Sequence, residues 1–293
     1  MIKAYVALLL SVFLWGINFS ITKIGLFEVE PITLAFLRFF VASVLLVSAV
    51  FIVRRGKELK KAFVQDALFF MWLGFLGVAL LFILENFALK YTTTSEASIL
   101  MSCEVLLIAV LAYFFLGEKM SGYKMGGVAL GFLGIFLVMF NQKDFLSLIH
   151  SQSFFGNILA FFSSLMWGIY TIMSKKRVQK YDPLVVVTMA SIFGMLFLFL
   201  AMILFEGLPV ITEFSIKAWF VIAWLGVIVS GVCYYLWNYA LKYLDASKAG
   251  IYMFLMPVIA TVFGLLIFDE KLTLQMVLGA GLVFGGIYLT EKA

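Results

Sequence analysis

The stretch NFALKYT at residues 86–92 returns, one substitution away, as NYALKY at 238–243. The copies stand 152 residues apart, and the same offset recovers other pairs on both sides of them. Trp15-Gly16 returns as Trp167-Gly168, Lys23 as Lys175, and Pro31 as Pro183. Leu73-Gly74 returns as Leu225-Gly226, Glu118-Lys119 as Glu270-Lys271, and Gly127 as Gly279. No gap is needed. Two unrelated apolar stretches would not hold one register over that distance, so the chain is a duplication.

What repeats is mostly apolar. Of 293 residues, 65% are hydrophobic and 13% charged, where a soluble domain is nearer half and a quarter. Runs of about 20 apolar residues, enough to cross a bilayer, recur along the whole length, so no separate soluble domain is expected. The opening run, MIKAYVALLLSVFLWGINFSITKIG, is too long for a signal h-region and lacks a small-residue cleavage site. It reads as a first span. The net charge of +5 is the signature of basic residues held on one side of a membrane rather than of a nucleic-acid partner. Cys103 and Cys233 fall in apolar runs, the sole histidine is His150, and there is no CxxC or HExxH. Neither a metal site nor a cofactor is expected.

Helices rather than strands follow from the run lengths and the lack of sustained alternation. The spans read 4–25, 31–53, 67–89, 95–116, 123–141, 155–176, 183–205, 217–240, 248–268 and 274–290. The fold class is an all-α integral membrane protein of ten transmembrane helices. These form two five-helix repeats, 4–141 and 155–290, joined near NQKDFLSLIHSQS at 141–153. Five is odd, so the second repeat enters the membrane from the opposite side, an inverted repeat. With the N-terminus inside, fifteen Lys/Arg fall on the side of the termini, five on the other, and Arg38 within a span. That bias places both termini in the cytoplasm and the protein in the cell membrane.

NFALKYT and NYALKY, FLGEK (115–119) with FDEK (268–271), LRF at 37–39, the WG pair of spans one and six, and Pro31 and Pro183 together resemble the EamA-type transporters of the drug/metabolite transporter superfamily. The resemblance covers nearly the whole chain. It implies a basket-like bundle in which spans 1, 3, 4, 6, 8 and 9 surround a substrate cavity, with 2 and 7 nearby and 5 and 10 peripheral. It also implies efflux of small amphipathic metabolites, such as amino acids, or of drugs. The chain departs from many relatives in span four, where Val105 stands at the position equivalent to Pro257 of span nine.

Glu104 sits inside ILMSCEVLLIAVLAYF, residues 99–114, about 13 Å deep at 1.5 Å per residue. A charged acid there costs on the order of 3 kcal/mol. It either carries its proton or faces a wet cavity beside a cation, and both suit a proton or cationic-substrate site. Hydrogen bonding across helices as packing glue is the competing reading. Arg38, about two turns into span two, stays charged; it seeks a carboxylate or snorkels to the interface. Glu85 is the other acid within reach.

Ser11, Trp15, Asn18 and Thr22 lie on one helix face, and Ser163, Trp167, Tyr170 and Ser174 repeat the spacing,. Both stripes are expected to line the cavity, or to hydrogen-bond between helices. Asn86 and Asn238, with Tyr234, Tyr235 and Trp237 around the second, carry amides that suit a carboxylate or amine, or end their helices. Tyr252 and Met253 extend an aromatic, polarizable lining. Gly127 with Gly131, and Gly281 with Gly285, allow close helix packing within a scaffold, or a homodimer contact in place of a monomer. Lys23 and Lys175 read as interface anchors.

A secondary transporter working by alternating access fits these features, with a small-molecule substrate, the lipid bilayer, and a proton moved through Glu104 as coupling ion. A flippase for lipid or lipid-linked substrates is the alternative of the same fold. No Walker A motif is present, and no histidine lies in a span to serve an intramembrane enzyme.

Overall fold

The structure, a computed structural model, describes residues 1–139, 152–268 and 273–292. Glu270, Lys271, His150 and Lys143 lie outside the described residues, as does nearly all of the 141–153 junction. The described chain is helical throughout. In order the helices are α1 (Ile2–Gly25), α2 (Pro31–Ile52), α3 (Gly56–Tyr91), α4 (Thr94–Met101 and Cys103–Leu116) and α5 (Gly122–Met139). Then come α6 (Gln152–Arg177), α7 (Pro183–Phe205), α8 (Ile216–Tyr243), α9 (Ala246–Tyr252 and Leu255–Phe268) and α10 (Leu274–Glu291). Eight of them, all but α5 and α10, are long and apolar enough to cross a bilayer. The chain is a multi-pass membrane protein.

Pro31 and Pro183 occupy first helical positions of α2 and α7, where proline's missing N–H costs nothing. The largest shift from the sequence reading is in α3, which begins 11 residues before the expected span. Its first part is polar, and at Asp66 the backbone leaves the helix (φ −131°, ψ 22°) before the apolar part begins. Asp66 pairs there with Arg177 (3.2 Å) and Lys180 (2.6 Å), and its hydrogen bond pushes the exposed Lys180 ammonium pKa up.

The third helix of each half loosens at its Leu-Gly pair, just after Leu73-Gly74 in α3 and from Leu225 itself in α8. Phe75–Leu80 in α3 and Leu225–Cys233 in α8 are π-helical, a wider turn that leaves carbonyls off the regular ladder. Both fourth helices break in mid-course, α4 at Ser102 and α9 at Met253–Phe254. Pro257 has no N–H to give Met253, whose carbonyl takes the Met256 N–H instead (2.9 Å). In α4, Val105 keeps its N–H, yet that N–H bonds Ser102 O (3.2 Å). The break is thus present without the proline.

α1 packs between α8 and α9, and α6 packs between α3 and α4. These two trios face one another; α2 and α7 pack together beside them, and α5 and α10 pair along their length. The α5–α10 approach is closest at Gly286, whose added Cβ would lie 2.5 Å from Gly127 O, while nothing lies within 4 Å of one at Gly281. Gly127 thus takes part in close helix packing within the chain.

At one end of the bundle Lys23 Nζ donates to Thr92 O (2.6 Å), and Glu206 accepts from Ile32 N (2.8 Å) and Thr33 N (2.7 Å). At the other, Lys175 Nζ donates to Leu241 O (2.8 Å) and Leu244 O (2.7 Å). There too Glu118 accepts from Ala246 N (2.8 Å), and Arg55 pairs with Asp182 (3.0 Å). Lys23 and Lys175 thus do more than anchor: each caps carbonyls at the C-terminus of the third helix of its own half.

The α3–α7 crossing leaves no room for a side chain. A Cβ on Gly74 would sit 2.6 Å from Gly194 N and 2.8 Å from Ala190 O, both backbone atoms. Gly74→Ala is expected to cost about 1–3 kcal/mol, read as a lowered unfolding temperature in detergent. Gly126→Ala, with open space around the new methyl inside a helix, is expected to leave it the same or slightly raised.

Candidate functional site

A cavity of about 50 Å³ lies between the two trios. α1, α8 and α9 contribute Trp15, Asn18, Phe19, Val229, Tyr234, Met253 and Met256; α3, α4 and α6 contribute Leu81, Phe82, Glu85, Met101, Glu104, Ser163 and Trp167. Arg38 of α2 completes the wall. A buried water needs some 10–15 Å³, so the cavity as packed has room for roughly three. Anything the size of a metabolite requires the trios to part.

The aromatic wall is built around the two repeated tryptophans. Trp15 and Trp167 meet edge-on, centroids 5.1 Å apart, and are each only 6% exposed. Their N–H groups are turned outward from that contact: Trp15 Nε1 donates to Val229 O (3.4 Å), in the π-helical part of α8, and Trp167 Nε1 to Met253 Sδ (3.2 Å), at the break in α9. Tyr234 lies 5.8 Å from Trp15 and 5.5 Å from Trp167. The irregular backbone thus supplies the groups that orient the rings.

Three ionisable side chains share this cavity. Arg38 is fully buried and does not snorkel. Its Nε donates to Ser230 Oγ (2.8 Å) in the π-helical part of α8, and its guanidinium lies 4.2 Å from the Phe82 ring centroid of α3. Its two terminal nitrogens make no hydrogen bond to protein. Glu85 and Glu104 are likewise buried, each with Oε1 lacking a protein partner. Asn18 lies beside Glu85 and accepts from Thr22 Oγ1 (3.1 Å). Glu104 is in the first turn after the α4 break. The break also frees Met101 O, which accepts from Ser164 Oγ (3.1 Å).

Of the residues singled out in the sequence, Trp15, Asn18, Arg38, Glu85, Glu104, Ser163, Trp167, Tyr234 and Met253 line the cavity. Tyr170, Trp237, Asn86, Asn238, Tyr252, Ser11, Thr22, Ser174 and Tyr235 do not. Tyr170 stacks behind Trp167 (5.2 Å), and its hydroxyl accepts from Asn238 Nδ2 (2.8 Å). Trp237 lies behind both tryptophans, 5.7 Å from Trp15 and 5.5 Å from Trp167. Asn86 donates to Pro31 O (2.8 Å), tying α3 to the start of α2. Tyr252 is half-buried against Tyr5 (5.9 Å). Ser11 bonds its own helix at Leu8 O (2.8 Å). Among the described residues no group of His, Cys, Asp or Glu is placed to hold a metal, and both cysteines are free and buried.

Sequence reading missed Phe82, Met101 and Ser230. The repeat offers a signal for two of them: Phe82 is the counterpart of Tyr234, and Met101 of Met253. Ser230 has none, because only the π-helical turn brings it to Arg38.

The model of the EamA-like transporter family matches residues 2–140 and again 154–291. An "Uncharacterized transporter" of Archaeoglobus fulgidus is 31% identical over 98% of this chain and 97% of its own length. A "Probable amino-acid metabolite efflux pump" of Escherichia coli is 26% identical over 98% of this chain and 94% of its own. A crystal structure matches with a TM-score of 0.73 over 98% of this chain and 95% of that one, at 20% identity; this likeness concerns the fold.

Tyr170→Phe tests the division between wall and backing. Losing the Asn238–Tyr170 bond is expected to cost about 1–2 kcal/mol, seen in thermal unfolding, with ligand selectivity unchanged. Altered selectivity would put Tyr170 in the wall.

Proposed function

Because the chain belongs to the EamA-like transporter family, we propose that it is a secondary transporter that exports small amphipathic metabolites, such as amino acids, or drugs. It does so across the cytoplasmic membrane by alternating access. That it is a transporter and not an enzyme follows from the family and its relatives. The observation that carries the finer reading is the cavity itself: aromatic-walled and mostly apolar but holding Arg38, Glu85 and Glu104, too small for a metabolite as packed, and bounded by two trios that can rock about it,.

Ten crossings in two inverted five-helix halves, 4–141 and 155–290, with both termini cytoplasmic, complete the proposal. In its support, the equivalent lysines Lys23 and Lys175 tie α3 and α8 at different ends of the bundle. The π-helical stretches and helix breaks recur in both halves. Export agrees with the printed name of the Escherichia coli relative. Glu104 and Glu85, buried in the cavity wall, are the groups through which a proton would be coupled. One coupled proton is worth about 2.3 kcal/mol per 100 mV of membrane potential.

Three measurements test this. In proteoliposomes, labelled amino acids should exchange with unlabelled ones and saturate; an unsaturable leak would mean a channel. Glu104→Gln should insert and fold, yet lose the dependence of transport on an imposed proton gradient; an unchanged dependence would leave Glu104 as packing. Single cysteines replacing Glu28 and Lys180, equivalent positions in the two halves, in a background lacking Cys103 and Cys233, should label from opposite sides of the membrane. Labelling from one side would refute the inversion.

A further inference from the structure

We propose that Arg38 is a carboxylate-binding subsite and that the cavity accepts zwitterions, an ammonium group facing Glu85 and Glu104 while the carboxylate takes the guanidinium. This rests on the reading of the cavity as the transport site and narrows its ligand.

The argument is one of elimination around the guanidinium. Its Nε is held by Ser230 Oγ at 2.8 Å. One face is covered by the Phe82 ring, 4.2 Å from the central carbon. What remains is the edge bearing both terminal nitrogens, which have no protein partner in a side chain that is 0% exposed. That edge is the planar fork that binds a carboxylate through two parallel hydrogen bonds.

The protein's own acids do not fill it. Among the described residues no carboxylate oxygen comes within 4 Å of Arg38, although Glu85 and Glu104 share the cavity and each leaves an oxygen unpartnered. A buried cation held through Nε, its two terminal nitrogens unpartnered, sharing a cavity wall with two acids that do not pair with it, matches a molecule with a negative and a positive end. A dianion such as phosphate would meet both acids, and a purely cationic drug would meet Arg38. Trp15, Trp167 and Tyr234 supply faces for the remaining apolar part,.

Ser230 is on this view a positioning residue. It acts through Arg38 by fixing the direction of the fork, and it links Arg38 of α2 to the trio of α1, α8 and α9, whereas both acids belong to the other trio. A zwitterion therefore bridges the two bodies that must move.

The test uses the full chain in lipid nanodiscs and two matched series: phenylalanine, its amide, phenethylamine and 3-phenylpropionate; and leucine with its amide. Binding by calorimetry should be at least ten-fold tighter for each amino acid than for its amide, and phenethylamine should be weaker still. Arg38→Gln and Arg38→Lys should erase the preference, since lysine has no fork. Ser230→Ala should weaken the acids several-fold and leave the amides unchanged, a selectivity shift that general destabilisation would not produce. Amides binding within two-fold of acids, no carboxylate ligand binding, or a preference surviving in Arg38→Gln would each overturn the proposal. The wild-type series decides even if the Arg38 variants fail to fold. Counterflow separates this from the transport reading: amine and amide exchanged as fast as the acid sink the subsite and leave the carrier. Binding with the stated preference but without exchange sinks the carrier and leaves the subsite.

Discussion

A guanidinium that cannot give up its charge lies at zero exposure inside a membrane protein, and the centre of the molecule is organised by that fact. An arginine at mid-bilayer costs about 2.5–3.5 kcal/mol on the insertion scale. A desolvated cation–π contact such as that with Phe82 returns about 2 kcal/mol. A hydrogen bond from a charged donor, as to Ser230, returns about 1.5–3 kcal/mol. The two contacts offset the burial to within a few kcal/mol without a direct ion pair. Glu85 and Glu104 line the same cavity, each with one oxygen that makes no hydrogen bond to protein.

Those contacts are available because the helices are irregular where the cavity needs them. A regular α8 would point the residue at 230 elsewhere; the π-helical turn brings its hydroxyl to α2. The same turn exposes the Val229 carbonyl to Trp15, and the breaks in α4 and α9 expose Met101 O to Ser164 and the Met253 sulfur to Trp167. Non-helical backbone at membrane depth is tolerated only where protein or a wet cavity satisfies it. The π-helical turn of α8 is answered by Trp15 and the break in α4 by Ser164.

Much of this was legible in the sequence. Hydropathy located the helices to within a few residues, the polar start of α3 excepted, and the constant offset identified equivalent positions. The stripe of Trp15 and Asn18 with Trp167, and the buried charges Arg38, Glu85 and Glu104, pointed to the wall. What was not legible came from geometry that no periodicity encodes. The break at Ser102 occurs without a proline. Ser230 matters only through a widened turn. Asn86 and Asn238, alike in sequence, take different partners, Pro31 O and Tyr170. Trp237 and Tyr170 sit one layer behind because Trp15 and Trp167 meet in front of them. The polar start of α3 was read as loop because its charges mask helical continuity.

That polar start has a consequence for the lipid around the protein. At 36 residues α3 would be about 54 Å long if straight,, far more than a bilayer's hydrocarbon thickness. The bend at Asp66 sets apart a leading segment on which Lys57, Lys60, Lys61, Phe63 and Val64 are all exposed. Pinned by Arg177 and Lys180, that segment is held out of line with the apolar length that a bilayer's thickness must match.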